Sequence, residues 1–564
     1  MKITAYKLLI LLIVALPAAT LAQTTYLIPG GKEEILLNRL EIKNRTNYFT
    51  FSAIKPYNRR DVISETEHLD SLYNNTNNKV KQGLSNIDYH NMQSMLLANS
   101  EWSKMKNTYL SKQPILKNFY LSKANMVDLN KEGFRLIVNP IIQYQQGSKG
   151  GNTQSTFINQ RGVVMRGDIN SKIGFYFYFT ENQERQPDYV KNYINYNTAV
   201  PGAGYYKGFK TNGSDFFDMR GGLTWKVANF IDMQLGYDRN FIGNGYRSLL
   251  LSDFSTNAMF LKVNARFGKF SYQNLFMELV SQRIAGTDRI YPRKYSRISY
   301  LSYNATKWLN IGLFDGVILG KTDAMSLPLF NPIMFVHIPS KSEKGINDKN
   351  YTGFDIKFNL AKRIQIYHQM MIDRLKINEL KNNWWGNKYG YQLGFKYIDV
   401  FGIKNLDIQA ETNVVRPFTY SSTDSFTSYN HYNQQLAHPL GANFKEYIGI
   451  IKYQPIPKLL LEAKLIYYKQ GLDSVKQGTL QNFGSNIFSF NQTRSMDYGL
   501  EIGAGDLAKC TIITLLASYE IKENLFFDIS FLSRNFDRMT TGKLNTKVVT
   551  AGIRWNIGRR EFIF

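Results

Sequence analysis

Apolar and polar residues alternate one by one along most of the chain beyond residue 133. In NLDIQAETN, Leu406, Ile408 and Ala410 are each followed by an acidic or amide residue, and FDIKFNL and FLKVNARF show the same period of two. Successive side chains of a β-strand point to opposite faces, so this period indicates strands with one apolar and one polar face. Charges on every second residue would be too costly in a packed sandwich core, whereas they suit a polar lumen.

The pattern predicts about eighteen strands, an even number as in single-chain bacterial barrels. They are predicted at 134–145, 157–167, 172–181, 216–228, 231–239, 258–267, 269–281, 295–305, 309–319, 351–360, 363–373, 389–400, 405–414, 445–453, 458–468, 510–519, 524–533 and 546–564. The fold class is therefore an all-β transmembrane protein, an antiparallel outer-membrane β-barrel.

The connections between these strands alternate in length. The short connections are DINS, NF, GK, TKW, AKR, FGIK, PIP and IKE. The connections between them are longer, notably 182–215, 321–350, 416–444 and 469–509. Transmembrane barrels have short periplasmic turns and long outer loops. This alternation, with an even number of strands, predicts that the N-terminal residues and Phe564 both lie on the periplasmic side of a cell outer membrane.

The last predicted strand is apolar on one face only. Val549, Ala551, Ile553 and Trp555 share that face, and the chain stops on the aromatic Phe564. Outer-membrane barrels commonly end in a strand with an aromatic last residue, which their insertion machinery reads. We therefore expect 546–564 to be the closing strand.

Residues 23–132 have a different pattern. Apolar residues recur at spacings of three and four over 33–42, 61–73 and 90–110, which predicts helices, and Pro56 and Pro114 interrupt them. Two interpretations of this helical module are open. It packs on the periplasmic end of the barrel, or it plugs a lumen that would otherwise hold water.

The first 22 residues have the features of a secretory signal peptide. Lys2 and Lys7 precede an apolar run at 8–16, and ATLA ends at Ala22. The run is shorter than the roughly 20 residues that a membrane-spanning helix needs. We predict a signal peptide at 1–22, a helical periplasmic or plug module at 23–132, and the barrel at 133–564.

Composition limits the class of protein and its partners. Aromatic residues make up 14% of the chain and the mean hydropathy is −0.32, which excludes a helical membrane bundle. Cys510 is the single cysteine, so an intramolecular disulfide is excluded. The net charge of +25 indicates anionic partners, and for an exported protein these are lipopolysaccharide or acidic glycans rather than nucleic acid.

Residues typical of catalysis do not form a recognisable motif. His368 lies within a predicted strand that offers no serine nucleophile, and His431 and His438 share one loop without a carboxylate or cysteine at metal-ligand spacing. The sequence therefore predicts a protein that is not an enzyme and that has neither a cofactor nor a metal site.

Four stretches carry a family resemblance. These stretches are RNFIGNGYRSLLLSDFS, WWGNKYGYQLGFKYIDVFGIKNLDIQAE, HYNQQLAHPLGANFKEYIGIIKYQPIP, and LLNRLEIK followed by FSAIKPYNRRDV. They resemble the outer-membrane family that holds the capsule assembly protein Wzi and the gliding motility protein RemB, and the RemB-like branch is the more similar. The resemblance implies an 18-stranded barrel with a helical bundle at its periplasmic end. It also implies a lectin-like role in attaching capsular or extracellular polysaccharide, and a role in gliding motility or adhesion that would involve gliding-machinery proteins.

The same stretches supply the candidate binding residues. Aromatic faces stack on sugar rings, amides bond hydroxyl groups, and arginine pairs with uronate carboxylates. The alternative for the two tryptophans is the aromatic girdle at the membrane interface. Carried over by resemblance, the polysaccharide-binding candidates are Asn244, Tyr246, Arg247, Trp384, Trp385, Asn387, Arg416, His431, Asn433 and His438. The alternative function is a porin-like channel for solutes, if the helices leave the lumen open.

Overall fold

The computed structural model describes residues 25–45, 51–75, 83–104, 109–111, 119–149, 154–281, 291–320, 327–337, 348–424 and 426–564. The predicted signal peptide lies outside these residues. Among them, no helix is long and apolar enough to cross a membrane.

Eighteen antiparallel strands of the described chain form one closed barrel, which confirms the predicted fold class. Each strand pairs with the next along the chain, and every predicted strand has its counterpart. The strands are β1 (Phe134–Gly147), β2 (Phe157–Ile169), β3 (Ile173–Arg185), β4 (Gly213–Ala228), β5 (Ile231–Asp238), β6 (Ala258–Phe267), β7 (Phe270–Val280), β8 (Arg293–Thr306), β9 (Leu309–Ile318), β10 (Lys349–Leu360), β11 (Ile364–Arg374), β12 (Lys388–Tyr397), β13 (Leu406–Val415), β14 (Phe444–Ile456), β15 (Leu459–Leu472), β16 (Asp506–Lys522), β17 (Leu525–Arg538) and β18 (Gly542–Trp555).

The ring closes where β18 meets β1. Residues 550–555 of β18 pair with residues 147–142 of β1. The first part of β1 pairs instead with a short strand, Val127–Lys131, which lies on the helical side of the boundary predicted at residue 132. A second short strand, Lys207–Phe209, pairs antiparallel with the first three residues of β4.

The two faces of the wall differ as the alternation predicts. On β17, Ile529 faces outward with 47% of its surface exposed, whereas the neighbouring Asp528 faces inward and is 2% exposed. Across the inner face, Arg554 Nε of β18 lies 2.5 Å from Asp528 Oδ2. The outer band is therefore apolar and the inner face carries paired charges, as a bilayer on one side requires.

The short and the long connections lie at opposite ends of the barrel. The turns after the even-numbered strands β2 to β16 are short, and nearly all the connections after the odd-numbered strands are long, residues 539–541 being the exception. We call these the short-turn end and the long-loop end. The long loops contain helix α4 (Asp188–Asn197), which the periodicity did not reveal, the hairpin of Ser474–Lys476 and Thr479–Gln481, and short 3₁₀ turns at Leu327–Phe330, Ile377–Glu379 and Asn491–Thr493. A further 3₁₀ turn, Val400–Gly402, lies at the short-turn end.

In the described part of the chain before the barrel there are three helices, α1 (Lys32–Asn44), α2 (Arg59–Asn75) and α3 (Asn86–Ala98), followed by a 3₁₀ turn at Ser100–Trp102. Leu40, Ile63, Met92 and Leu96 are members of their shared buried core. The prediction of a third helix over 90–110 is wrong in its bounds. The helix starts earlier because Ser85 caps it, accepting the Asp88 N–H at 2.9 Å while the Asp88 carboxylate accepts the Ser85 N–H.

The helical bundle contacts the inner wall of the barrel at the short-turn end. Glu41 of α1 lies 2.6 Å from Lys357 of β10, and both side chains are almost fully buried. Arg39 joins Asp88 of α3 to Asp399 of the β12–β13 turn at 2.7 and 2.9 Å. These pairs fix α1 between the other helices and the strands.

Asp88 is the buried centre of this network. Burial alone would raise the pKa of Asp88, but the Arg39 guanidinium and the Lys43 ammonium outweigh it, so the pKa lies well below its usual range. The carboxylate therefore remains charged while it holds α1 to α3.

Two long connections, 239–257 and 416–443, fold into the lumen. Phe241–Ile242 pairs with Ile54–Lys55 from the helical module, and Asn430–His431 pairs with Gln434–Gln435 in a hairpin. Leu249, Leu250 and Tyr420 pack against inward side chains of the wall in a hydrophobic core. This side of the lumen is packed like a protein interior.

One segment covers the outside of the wall. Arg297 of β8 and Asp315 of β9 face outward and form a buried ion pair at 2.8 Å. The Asn331 carbonyl accepts from Arg297 at 2.9 Å and the Phe335 N–H donates to Asp315 at 3.0 Å. Residues 327–337 thus separate this ion pair from the surroundings of the barrel.

The prediction that 546–564 forms the closing strand up to Phe564 is wrong. Strand β18 ends at Trp555, and Asn556–Phe564, here called the tail, turns into the lumen. The Phe564 carbonyl accepts from the inward Arg534 Nε at 3.1 Å. The end of the chain therefore lies inside the barrel rather than at its short-turn end.

Candidate functional site

The ten predicted site residues separate into two groups. The group within the two inward connections consists of Asn244, Tyr246, Arg247, His431, Asn433 and His438. The group at the long-loop end consists of Trp384, Trp385, Asn387 and Arg416, the last of which is the first residue of the second connection. The structure does not bring the ten into one site.

Connection 239–257 folds around an inward carboxylate of β13. Glu411 accepts the backbone N–H groups of Tyr246 at 2.7 Å and Arg247 at 3.1 Å. A Cβ atom at Gly245 would lie 2.4 Å from Glu411 Oε2 and 2.9 Å from the Arg247 carbonyl oxygen, so a larger residue would displace the carboxylate or the loop. Asn244 Nδ2 bonds Asp355 of β10 at 3.3 Å. Asn244 and the close approach at Gly245 thus hold the loop in the lumen.

The side chains of Tyr246 and Arg247 contact the tail. Arg247 Nη2 donates to the Ile563 carbonyl at 2.5 Å and lies 3.4 Å from Glu446 of β14. The Tyr246 hydroxyl lies 3.2 Å from Glu561. Both residues are therefore engaged inside the barrel.

Both ring nitrogens of each loop histidine have a partner within the protein. His431 Nδ1 accepts the Val280 N–H and Nε2 lies 3.0 Å from the Asn257 carbonyl, which fixes the neutral tautomer with hydrogen on Nε2. Burial lowers the pKa of His431 to about 4. His438 Nε2 lies 2.6 Å from Glu446. No group of three potential metal ligands occurs among the described residues.

Asn433 connects the luminal hairpin to α4. Its Nδ2 donates to the Asn197 carbonyl and to Thr198 Oγ1, both at 3.0 Å. Tyr432 and Asn433 form the tight turn of the hairpin, with φ values of 53° and 57°. Asn433 therefore anchors a helix at the long-loop end.

Trp384 and Trp385 lie side by side at the long-loop end, and both are half-buried. Their ring centroids are 5.9 Å apart in an edge contact. Four cations face the rings: Arg374 at 5.3 Å and Lys376 at 5.5 Å from Trp384, and Lys388 at 5.0 Å and Arg494 at 4.2 Å from Trp385. We call these six residues the tryptophan rim.

Two loops join to build the tryptophan rim. The Trp385 N–H donates to the Asp497 carbonyl at 2.9 Å, and the Leu500 N–H donates to the Asn383 carbonyl at 3.1 Å. Arg416 Nε donates to the Asn387 carbonyl at 2.8 Å, and its Nη2 donates to the Leu500 carbonyl at 3.2 Å. Both Arg416 and Asn387 are buried, so they support the rim from below.

Sequence reasoning missed the cations of the rim. Arg374 ends β11, Lys376 follows it and Lys388 begins β12, so their nearness to the two tryptophans along the chain was a usable signal. Arg494 comes from the β15–β16 connection, which lies more than 100 residues away, and only the fold brings it to Trp385.

The rim combines two recognition chemistries. Indole faces stack on the apolar faces of sugar rings, and guanidinium and ammonium groups attract carboxylates. Two carboxylates partly neutralise the positive charge of the rim. Glu379 lies 3.2 Å from Lys376, and Asp497 pairs with Arg494. The exposed Arg374 adds further positive charge at the face of Trp384, whereas Lys388 is buried behind Trp385.

A closed ring of antiparallel strands with an apolar outer band, short turns at one end and long loops at the other defines an outer-membrane β-barrel. Among solved structures, the fold is similar to that of Wzi, an outer-membrane protein involved in group 1 capsule assembly in Escherichia coli and described as a carbohydrate-binding β-barrel. The TM-score is 0.53 and the identity 12%, over 95% of this chain and 100% of that chain.

Two further similar structures have lower scores. OprD from Pseudomonas aeruginosa has a TM-score of 0.42 and 13% identity, over 79% of this chain and 97% of its own. OccAB2 from Acinetobacter baumannii has a TM-score of 0.42 and 9% identity, over 75% and 98%. No family model matches the chain, and no curated protein matches it in sequence.

Proposed function

We propose that this chain is a non-enzymatic surface protein of the outer membrane that holds an acidic capsular or extracellular polysaccharide at its tryptophan rim. The observation that carries the proposal is the pair of indole rings faced by four cations. An acidic sugar presents an apolar ring face and a carboxylate together, and the rim offers a partner for each.

The proposal includes an orientation. Long loops of outer-membrane barrels face the outside and short turns face the periplasm. In that orientation the tryptophan rim meets extracellular polymer, and the helical bundle lies on the periplasmic side. The net charge of +25 also suits contact with anionic lipopolysaccharide around the barrel.

The contents of the lumen favour binding over the porin-like alternative. Helix α1, the two inward connections and the tail contact the inner wall. We therefore expect the intact protein to be nearly silent in planar lipid bilayers, whereas a porin would show steady conductance.

The family resemblance adds a cellular context to the proposal. Polysaccharide held at the surface would serve capsule attachment, adhesion or gliding motility. Contact with gliding-machinery proteins is the part of this proposal that rests on the resemblance to RemB alone.

The experiment compares Trp385→Ala and Arg494→Ala with Trp308→Ala. Trp308 is an exposed tryptophan in the β8–β9 turn at the short-turn end, so it controls for the loss of an indole. Each variant removes one interaction of about 1 kcal/mol, the indole stacking or the guanidinium, and this predicts a roughly fivefold drop in affinity for an acidic polysaccharide such as alginate.

Retention on intact cells and binding to purified protein give the readout, with a neutral glucan as the comparison ligand. Trp308→Ala should bind like the unaltered protein. Unchanged alginate binding by both rim variants at normal surface levels would refute the proposal.

A further inference from the structure

We infer that three lysines on the outer face of the barrel, together with an apolar depression on the same strands, bind the phosphorylated lipid A of lipopolysaccharide. Lys445 of β14, Lys469 of β15 and Lys509 of β16 are here called the lysine ladder. The inference rests on the orientation proposed above, in which the long loops face outward. It assigns a lipid site that is separate from the tryptophan rim.

The lysine ladder follows from the strand register. Lys445 lies directly opposite Lys469, and Lys469 lies directly opposite Lys509. All three side chains are exposed, whereas the adjacent inward residues Tyr468 and Cys510 are buried. Side chains opposite each other in a sheet have Cβ atoms about 5 Å apart. The fold therefore gathers three ammonium groups in one row on the outer face.

The positive charge of the ladder is not balanced by the protein. Asp537 and Lys543 continue the row, so its five positions hold four lysines and one aspartate, a net charge of +3. Among the described residues, no carboxylate oxygen lies within 4.0 Å of the three ladder ammonium groups. Like charges directly opposite each other destabilise a sheet. Lysines also protect open sheet edges from pairing, but a closed barrel has no such edge. An external anion is therefore the counter-charge that this row lacks.

The lysine ladder lies at the outer edge of the apolar band. Two residues nearer the short-turn end, the outward Tyr447 and Tyr467 lie opposite each other with ring centroids 6.5 Å apart. Aromatic girdles of this kind mark the membrane interface of β-barrels. The outward face of β15 from Leu459 to Tyr467 covers nine residues, within the roughly 9–11 of a membrane-crossing strand, and Lys469 follows. The ammonium groups therefore lie at the level of the lipid headgroups.

The headgroup chemistry at this level is that of phosphate. Lipopolysaccharide forms the outer leaflet of an outer membrane, and its lipid A carries phosphate groups next to the acyl chains. Lysine binds phosphate as a compact point charge. A phosphate monoester carries up to about two negative charges near neutral pH, so neighbouring ammonium groups can share its oxygens. The repulsion within the free ladder thus becomes affinity for a multiply charged anion.

A shallow apolar depression lies on the same strands, nearer the short-turn end. It has a volume of about 370 Å³, and Ala463 of β15 and Ala517 of β16 are among its lining residues. Ala463 lies between Ile451 and Leu515 in the register. Ala517 is likewise flanked by larger apolar residues of the neighbouring strands. Small side chains between large ones leave room there for an apolar ligand.

The separation of the ladder and the depression suits a single lipid. Leu515 lies six residues from Lys509 along β16, which is about 20 Å of strand. Because barrel strands are tilted by roughly 40°, this length corresponds to a depth of about 15 Å, half of a hydrocarbon core of about 30 Å. An acyl chain whose phosphate is held at the ladder therefore reaches the depression.

Titration of the delipidated full-length protein with bisphosphorylated lipid A in detergent, followed by native mass spectrometry, tests the inference. The first variant replaces all three ladder lysines with glutamine. Each lysine near anionic lipid contributes a factor of about five, so this variant should bind lipid A roughly 100-fold more weakly. The control replaces Lys172, Lys307 and Lys404, three exposed lysines of the short turns, with glutamine. It has the same change in net charge and should bind like the unaltered protein.

Two further variants separate charge from shape. Lys469→Glu places a carboxylate between Lys445 and Lys509, so it should raise the melting temperature in lipid-free detergent while lowering the affinity for lipid A at least about tenfold. Ala463→Leu combined with Ala517→Leu fills the depression with outward apolar side chains. This variant should bind lipid A more weakly and still prefer it to dephosphorylated lipid A.

Equal affinity for lipid A in the triple ladder variant and the short-turn control would overturn the inference, and so would an unchanged affinity in Lys469→Glu. Phosphatidylglycerol is the comparison lipid for the source of the phosphate. If the unaltered protein binds it as tightly as lipid A, the assignment to lipopolysaccharide is wrong. Alginate binding, measured in parallel, should persist in the ladder variants because the rim residues are unchanged, so failure of one proposal is distinguishable from failure of the other.

Discussion

Replacing Glu41 with glutamine should loosen the helical module while the barrel stays intact. The Glu41 and Lys357 side chains are 1% and 0% exposed and lie 2.6 Å apart, so the substitution leaves a buried ammonium without its carboxylate. The Ser52 hydroxyl remains 2.8 Å from Lys357 Nζ. Breaking a buried pair by removing one partner costs about 3–5 kcal/mol. Because the Ser52 hydroxyl still bonds Lys357, we expect a cost of about 3 kcal/mol, at the lower end of this range.

An energy of about 3 kcal/mol corresponds to a roughly 100-fold rise in the population of the undocked helix. Hydrogen exchange followed by mass spectrometry reports this directly. The α1 peptides of the detergent-solubilised variant should exchange faster by about that factor, while the peptides of β14–β17 serve as an internal standard.

Two controls sharpen the experiment. Glu65→Gln makes the same chemical change on α2, away from the ion pairs with the barrel described above. The double variant Glu41→Gln with Lys357→Met removes both charges and should recover much of the protection. The reasoning fails if α1 exchanges no faster in Glu41→Gln than in Glu65→Gln.

Three further perturbations test other parts of the structure. The pKa of Asp88 lies well below its usual range, so the stabilising contribution of its carboxylate is complete above about pH 4 and is lost as the pH falls further. Helix α3 should therefore lose protection from hydrogen exchange between about pH 4 and 2, and the loss should be smaller in Asp88→Asn. Gly245→Ala places a Cβ atom 2.4 Å from Glu411 Oε2 and should lower the free energy of unfolding by about 1–3 kcal/mol in thermal melts. Ile529→Lys on the outer band should cost about 2–4 kcal/mol in urea unfolding from liposomes, whereas Leu480→Lys in a loop hairpin should cost less than about 0.5.

The strands were predictable because their signal is local. Each strand separates a bilayer from a polar interior, and that difference appears in every second residue, as at Ile529 and Asp528. The alternation of turn lengths followed from the same architecture. Residues 546–564 show the limit of the pattern, because alternation up to Ile557 does not reveal that pairing stops at Trp555.

The candidate site was only partly predictable, since its geometry depends on distant contacts. Trp384 and Trp385 were found, but Arg494 reaches them from another loop. His431 and Asn244 share the polar and aromatic composition of binding loops. The structure shows that they bond the inner wall and neighbouring loops instead, and composition alone does not distinguish a loop that folds inward from one that faces solvent.

The covering segment 327–337 means that the barrel does not present the same surface to lipid on every side. A bare Arg297–Asp315 pair facing hydrocarbon would draw water and headgroups towards it and thin the bilayer locally. With the segment in place, Ile333 and Phe335 present apolar side chains beyond the wall. The protein therefore has a raised sector on its circumference. A neighbouring molecule in the same membrane would meet a different surface at this sector than elsewhere around the barrel.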